Sequence, residues 1–114
     1  MAQGEEPVAW EGWRVVVAFP EHVDGSNAIQ VREQLMAVFD RGAAVVIADL
    51  SATASCEHAC VDVVARACQQ AAVHRSELRL VATAPAVRRL LAAEGPDRLV
   101  PVYSSVEAGR RPAC

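Results

Sequence analysis

Lysine is absent from this chain, and aromatic residues nearly so: 114 residues hold two Trp, two Phe and one Tyr. All 11 basic residues are therefore arginine, which together with abundant alanine marks the coding bias of a GC-rich genome rather than a function. With so few rings there is little surface for stacking bases or sugars. The core must come from Val, Leu, Ala and Ile, and a hydrophobic content of 53% is enough to build one. A basic excess is also missing. The formal net charge of −3 argues against nucleic acid, whose binding relies on neutralising phosphates with a basic face. No apolar run approaches the roughly 18 residues of a membrane span. Met1–Pro7 is polar and acidic, without the basic and then apolar opening of a secretory signal. The expectation is a cytoplasmic chain in a reducing setting. Its four cysteines, Cys56, Cys60, Cys68 and Cys114, are then free thiols by default, and no disulfide frame is expected.

Catalytic patterns are missing too. There is no GxGxxG, no P-loop and no serine nucleophile elbow, and His22, His58 and His74 have no spacing that pairs them. We assign no catalytic residue and no cofactor, and expect a chain that is not an enzyme.

What is present is an alternation of strands and helices. The length allows one domain, expected over residues 8–108, with a disordered tail at 1–7 and a frayed one at 109–114. Val8–Trp10 reads as a short strand turning at Glu11-Gly12, and Trp13–Phe19 as a strand ended by Pro20. Glu21–Asn27 is a polar loop containing Gly25. Ala28, Val31, Leu35, Val38 and Phe39 then recur at helical spacing. Asn27 and Gln30 have capping-box spacing at the start of that helix, and Gly42 suits its end. Ala43–Leu50 is apolar on both faces, as a central parallel strand requires.

Ser51–Ser55 is a short loop. Glu57–His74 is a second helix with Cys60, Val61, Val64, Cys68 and Ala71 as its buried stripe. Leu78–Ala82 is the next strand, and Pro85 suits a helix start. Val87, Leu90 and Leu91 form that helix's apolar face, and Gly95-Pro96 ends it. Val100–Tyr103 is a last strand, after which Ser104 and Glu107 have capping-box spacing for a final helical turn. The order β-β-α-β-α-β-α-β-α predicts a mixed, mainly parallel sheet of four to five strands with about four helices.

One cluster is unusual. Ser55-Cys56-Glu57-His58-Ala59-Cys60 lies where the central strand hands over to the second helix, the end of an α/β sheet where ligands and partners meet the chain. Cys56, His58 and Cys60 are zinc-ligand types, but a single CxxxC lacks the paired spacing of structural zinc sites, so no metal is expected. Cys60 and Cys68, two helical turns apart on an apolar stripe, read as small core hydrophobes. A thiol near a helix N-terminus has a route to redox activity.

The same stretch resembles the signature of bacterial STAS domains of the anti-sigma factor antagonist type. In that family a D-L/M-S/T strand end is followed, after a short loop, by D-S-S/T-G-L/V opening the next helix. With Asp49-Leu50-Ser51 as the register, Glu57 falls on the Asp, His58 on the first Ser, Ala59 on the second Ser or Thr, and Cys60 on the Gly. The flanks agree. Pro20-Glu21-His22-Val23-Asp24 with Asn27-Ala28 is similar to the family's first turn. Leu78-Arg79-Leu80-Val81 with Ala84-Pro85-Ala86-Val87-Arg88-Arg89-Leu90-Leu91 is similar to its L-x-L-V…S/A-P-A-V-R-R-L/V-L segment. Gly95-Pro96-Asp97-Arg98-Leu99 is similar to its G-x-x-R/K-L turn.

The resemblance implies a non-enzymatic partner-switching module. Such a module binds an anti-sigma factor, often a GHKL-type serine kinase, which phosphorylates the second signature hydroxyl and is expelled by the added charge. Here that position is Ala59, which has no hydroxyl, so no phospho-acceptor is expected at the family position. Partner contact is expected at Asp24, Asn27, Ser55, Glu57, His58, Ala59 and Cys60. The alternative is a STAS fold adapted to a small ligand or to redox sensing through Cys56 and Cys60.

Overall fold

A computed structural model describes residues 7–94 and 100–110. Residues 1–6 of the tail expected at 1–7, the Gly95–Leu99 turn and the end of the chain with Cys114 lie outside the described residues. A five-stranded sheet forms the centre. β1 (Val8–Glu11) and β2 (Arg14–Ala18) are an antiparallel hairpin; β4 (Val45–Leu50), β6 (Glu77–Ala82) and β7 (Val102–Tyr103) continue it in parallel, in the order β1-β2-β4-β6-β7. A second, two-stranded parallel ribbon joins β3 (His22–Val23) to β5 (Ser55–Cys56). The helices are α1 (Ala28–Asp40), α2 (His58–His74), α3 (Pro85–Glu94) and the single turn α4 (Val106–Gly109).

The apolar runs explain the layering. Successive strand residues face opposite sides of a sheet. Val15, Val17, Val46, Ala48, Leu50, Leu78, Leu80 and Ala82 point to one side, where Val31, Leu35, Val38 and Phe39 of α1, Val63, Val64 and Ala67 of α2, and Val87 and Leu91 of α3 cover them. Val16, Ile47 and Val81 point to the other, where Tyr103 and Val106 pack. β4 is thus the interior strand expected from its sequence, flanked by β2 and β6 and covered on both faces.

The expected stripe of α1 is the buried one: Ala28, Val31, Leu35, Val38 and Phe39. Gly42, just past its end, takes a positive φ of 90°, the left-handed turn that glycine adopts without a Cβ clash. Its start differs from the expected capping box. Asn27 stands at the cap but makes no side-chain cap bond, because its amide serves the preceding loop. In α4 the cap is Ser105 rather than Ser104; its hydroxyl accepts from the Ala108 N–H at 3.1 Å. Along α2, Cys68 is half-buried while Val63 and Ala67 are buried, so the apolar face is wider than the expected stripe. Burial pushes the Cys68 thiol pKa up.

The second face of the sheet is closed by charge. Arg79 is only 4% exposed. Its Nε donates to Glu77 Oε2 at 2.8 Å and its Nη1 to the Gly109 carbonyl at 2.7 Å. Glu11 accepts from Arg14 and Arg110, and the Arg110 hydrogen bond, first among the causes, holds the Glu11 carboxyl below its ordinary pKa. Gly109 and Arg110, expected in a frayed tail, are instead held against this face. A Cβ on Gly109 would meet Val81 Cγ2 at 3.3 Å, so its bare backbone lets α4 approach the sheet closely.

Candidate functional site

The polar loops of the sequence are tied into one structure at the C-terminal end of the sheet. The Glu21–Asn27 stretch, expected as loop throughout, contains β3, and the loop after β4 runs into β5. Val23 is buried, and its register with Cys56 draws the two loops together. The Glu21 carbonyl accepts from the Ala54 N–H at 2.7 Å and the Val23 carbonyl from the Glu57 N–H at 3.2 Å. Thr53, buried to 1% exposure, donates its hydroxyl to the Pro20 carbonyl at 2.8 Å. His22 Nδ1 and Ser55 Oγ share a hydrogen bond of 2.6 Å across the ribbon.

Asp24 and Asn27 organise the turn that feeds α1. The Asp24 carboxylate accepts from the Ser26 hydroxyl at 2.6 Å and the Ser26 N–H at 2.8 Å. Asn27 accepts from the Asp24 N–H at 3.0 Å and donates to the His22 carbonyl at 2.7 Å. Both side chains are half-buried. The Ser26 hydroxyl, then its N–H, hold the Asp24 carboxyl below its ordinary pKa. A depressed carboxyl pKa gives stability that is present above the unfolded value and lost as pH falls through the folded one. In an acid titration followed by NMR, the Ser26 and Asn27 amides should move together at a pH below the ordinary aspartate midpoint. Asp24→Asn should abolish the transition. Amides that titrate at the ordinary aspartate value would mean the carboxylate does not hold this turn.

The signature residues follow β5. Glu57 occupies the cap position of α2 in extended backbone, with no side-chain cap bond; its carbonyl accepts from the Cys60 N–H at 2.8 Å. Glu57, His58 and Ser55 are exposed, and Cys60 is fully buried. Ala59 is half-buried. It lines a shallow groove between the starts of α1 and α2 with Gly25, Ala28, Ile29, Arg32 and Asp62. Ile29 is 57% exposed, an aliphatic side chain outside the buried stripe of its helix. The seven expected contact residues thus share one end of the molecule, five on the β5–α2 junction and two on the turn before α1, but Cys60 is corrected to a core position: its side chain points inward from the first turn of α2 and offers no surface to a partner.

The cysteines differ from expectation. Cys56 and Cys60 are joined by a disulfide, with Cα atoms 5.6 Å apart. The free-thiol default for this pair came from the expected compartment alone. The local geometry overrides it, because a helix beginning at His58 brings residue 60 back beside residue 56. Cys60 is also a core residue, as expected. Among the described residues no three His, Cys, Asp or Glu side chains form a group fit for a metal ion.

A family model described as the STAS domain matches residues 5–109. The chain belongs to the STAS family. No curated protein sequence matches it. Among solved structures, a putative anti-sigma factor antagonist from Thermotoga maritima superposes with a TM-score of 0.82 at 18% identity, over 93% of this chain and 92% of that one. An anti-sigma factor antagonist from Mycobacterium paratuberculosis gives 0.81 at 22% identity, over 89% and 86%. The Bacillus cell fate determinant SpoIIAA in its phosphorylated form gives 0.70 at 16% identity, over 89% and 93%. At these identities the likeness concerns the fold: the mixed sheet with four helices described above is the STAS fold.

The STAS resemblance pointed to the β5–α2 junction. It did not point to Ile29, Arg32 and Asp62, which only the packing of α1 beside α2 brings to Ala59. The one local signal was Ile29 itself, an apolar residue off its helix's core stripe. The His22–Ser55 bond had no signal, because two-residue strands have no periodicity to read.

Proposed function

We propose that this STAS domain is a non-enzymatic, cytoplasmic regulator that binds an anti-sigma factor or a related GHKL-type serine kinase. Contact runs through the surface built by β3, β5 and the starts of α1 and α2. It does so without a phosphate switch at the family position. One observation carries the reading: at the acceptor position stands the methyl group of Ala59, in a groove between two helix starts. A phosphate placed there adds about −1.5 to −2 charges; alanine keeps the surface in its uncharged form. Exposed Ser55, Glu57 and His58 flank the groove and supply polar contacts. Glu57, at a helix start where the macrodipole favours a carboxylate, suits an arginine or lysine of the partner.

The test is Ala59→Glu. The substitution brings a fixed negative charge into the groove beside Asp62. Against an anti-sigma partner, calorimetric titration should show affinity falling more than tenfold, or about 1.4 kcal/mol. The thermal midpoint should fall only modestly, because Ala59 is half-buried at the edge of the core rather than inside it. Unchanged affinity with an intact fold would place the contact elsewhere and end this reading.

A further inference from the structure

We infer that Cys56 and Cys60 are a reversible dithiol–disulfide site, a clasp that fastens the first turn of α2 to β5 when oxidised and releases that turn when reduced. The effect on partner affinity rests on the binding reading above; the clasp itself does not.

Three observations carry the inference. The first is position. The two sulfurs bracket Glu57, His58 and Ala59, so the covalent loop encloses the residues that open α2 on the candidate surface. The second is what else holds that turn. Glu57 at the cap makes no side-chain cap bond, and the first turn contains no acidic residue to favour the helix dipole. No side-chain cap bond secures this helix start, and the Glu57 carboxylate at the cap position is exposed; the disulfide adds a covalent tie.

The third is that both redox states have a home in the fold. Cys60 is fully buried in the main core and Cys56 packs against it, an environment that accepts a thiol as a small hydrophobe. Cys56 Sγ also lies 3.8 Å from the Glu57 carbonyl, an acceptor for the S–H once the bond is opened. A sequence separation of four closes a very short loop, which constrains the unfolded chain much less than a long one. The pair is thus poorly placed to staple the domain and well placed to fix one helical turn.

The exchange has a direction. Cys60 is shielded, so an incoming thiolate attacks the half-buried Cys56 sulfur. The Cys56–Cys60 bond breaks, and the electron pair leaves on Cys60, which takes up a proton. With a dithiol reductant of the thioredoxin class, its second thiol then attacks the mixed disulfide. Cys56 is expelled as a thiolate and is protonated in turn. Two electrons and two protons pass from the dithiol to the protein, and the reductant leaves as its own disulfide. Reoxidation by a disulfide of the same class is the reverse. Cys68, half-buried and with its thiol pKa raised by burial, takes no part.

The experiment uses the full chain equilibrated in buffers of reduced and oxidised dithiothreitol, with three readouts. Alkylation and mass spectrometry should show Cys56 and Cys60 gaining label together, in one two-electron transition, while circular dichroism stays native. Hydrogen exchange at the amides of residues 58–61 should be at least tenfold faster in the reduced protein. Cys56→Ser should show the fast exchange in every buffer. Affinity for the anti-sigma partner should differ at least fivefold between the two states.

Cysteines that label independently, or amides that exchange equally in both states, overturn the clasp. A clasp that opens while partner affinity stays constant overturns its regulatory role. Absence of partner binding in both states is failure of the binding reading, and the clasp then stands or falls on labelling and exchange.

Discussion

Replacing Phe39 with alanine should lower the unfolding free energy by about 3–5 kcal/mol. Phe39 is fully buried near the end of α1 and is one of five aromatic residues in the chain. Its ring stacks on His74 in the last turn of α2, with centroids 6.0 Å apart and planes 17° from parallel. It therefore joins the far ends of the two helices whose near ends form the candidate surface. The core around it is mostly Val, Leu and Ala, with Phe19 as its other buried phenylalanine; such a core collapses only partly, so a cavity cost adds to the lost transfer energy. Phe39→Leu keeps most of the volume and should cost less than about 1.5 kcal/mol. Urea unfolding checks both: the midpoint should fall at unchanged slope. A loss below about 1 kcal/mol for the alanine variant would mean that α1 and α2 close over the gap.

Arg79→Ala should cost about 2–3 kcal/mol, the range of lost charge-assisted hydrogen bonds in a buried setting. Most of the described arginines lie at the surface, but Arg79 projects from the middle of β6 onto the face that α4 covers. The Glu77 hydrogen bond is the first cause of its raised pKa, so it stays protonated at any working pH. Glu77 keeps access to water, with a side chain 43% exposed. The Gly109 carbonyl does not, because Gly109 is buried. The loss should therefore appear at α4, as fast hydrogen exchange over residues 106–110, and should change little with salt. Glu11→Gln, which weakens the more open pair with Arg110, should cost no more than about 1 kcal/mol and should lose its effect in high salt. Slow exchange at α4 in the Arg79 variant would mean that the turn is held by its apolar contacts alone.

The two predictions bear on different layers, and the layers were unequally legible. Phe39 belongs to a stripe that any helical reading of residues 28–39 places inside. Arg79 sits in Leu78-Arg79-Leu80-Val81, where a strand reading puts it on a face without saying what covers that face. Its cover depends on Arg110 and Gly109, residues that read as a frayed tail because a four-residue helix has no periodicity of its own. The capping residues were misread for a related reason. Asn27 and Ser104 have the right spacing, but a side chain makes only a few hydrogen bonds. The Asn27 amide is used by Asp24 and His22, and the register at α4 moves by one to Ser105.

By itself the sequence determined the fold class, the order of its long elements and the end of the sheet that holds the candidate site. These follow from signals contained within each segment: the two-sided apolar run of β4, the helical spacing of Val31, Leu35, Val38 and Phe39, and the STAS-like stretch from Asp49 to Val61. The tertiary structure alone decided what happens at that end. The pairing of β3 with β5 joins residues about thirty positions apart through strands of two residues each, too short to carry a pattern. The groove at Ala59 exists because α1 and the turn before it place Ile29, Arg32 and Gly25 beside a helix that begins thirty residues after α1 does. The Cys56–Cys60 bond requires the chain to turn from strand to helix within one residue, so that Cys60 enters the core directly behind Cys56. Each is a contact between segments, and its energy depends on distances that no single segment encodes.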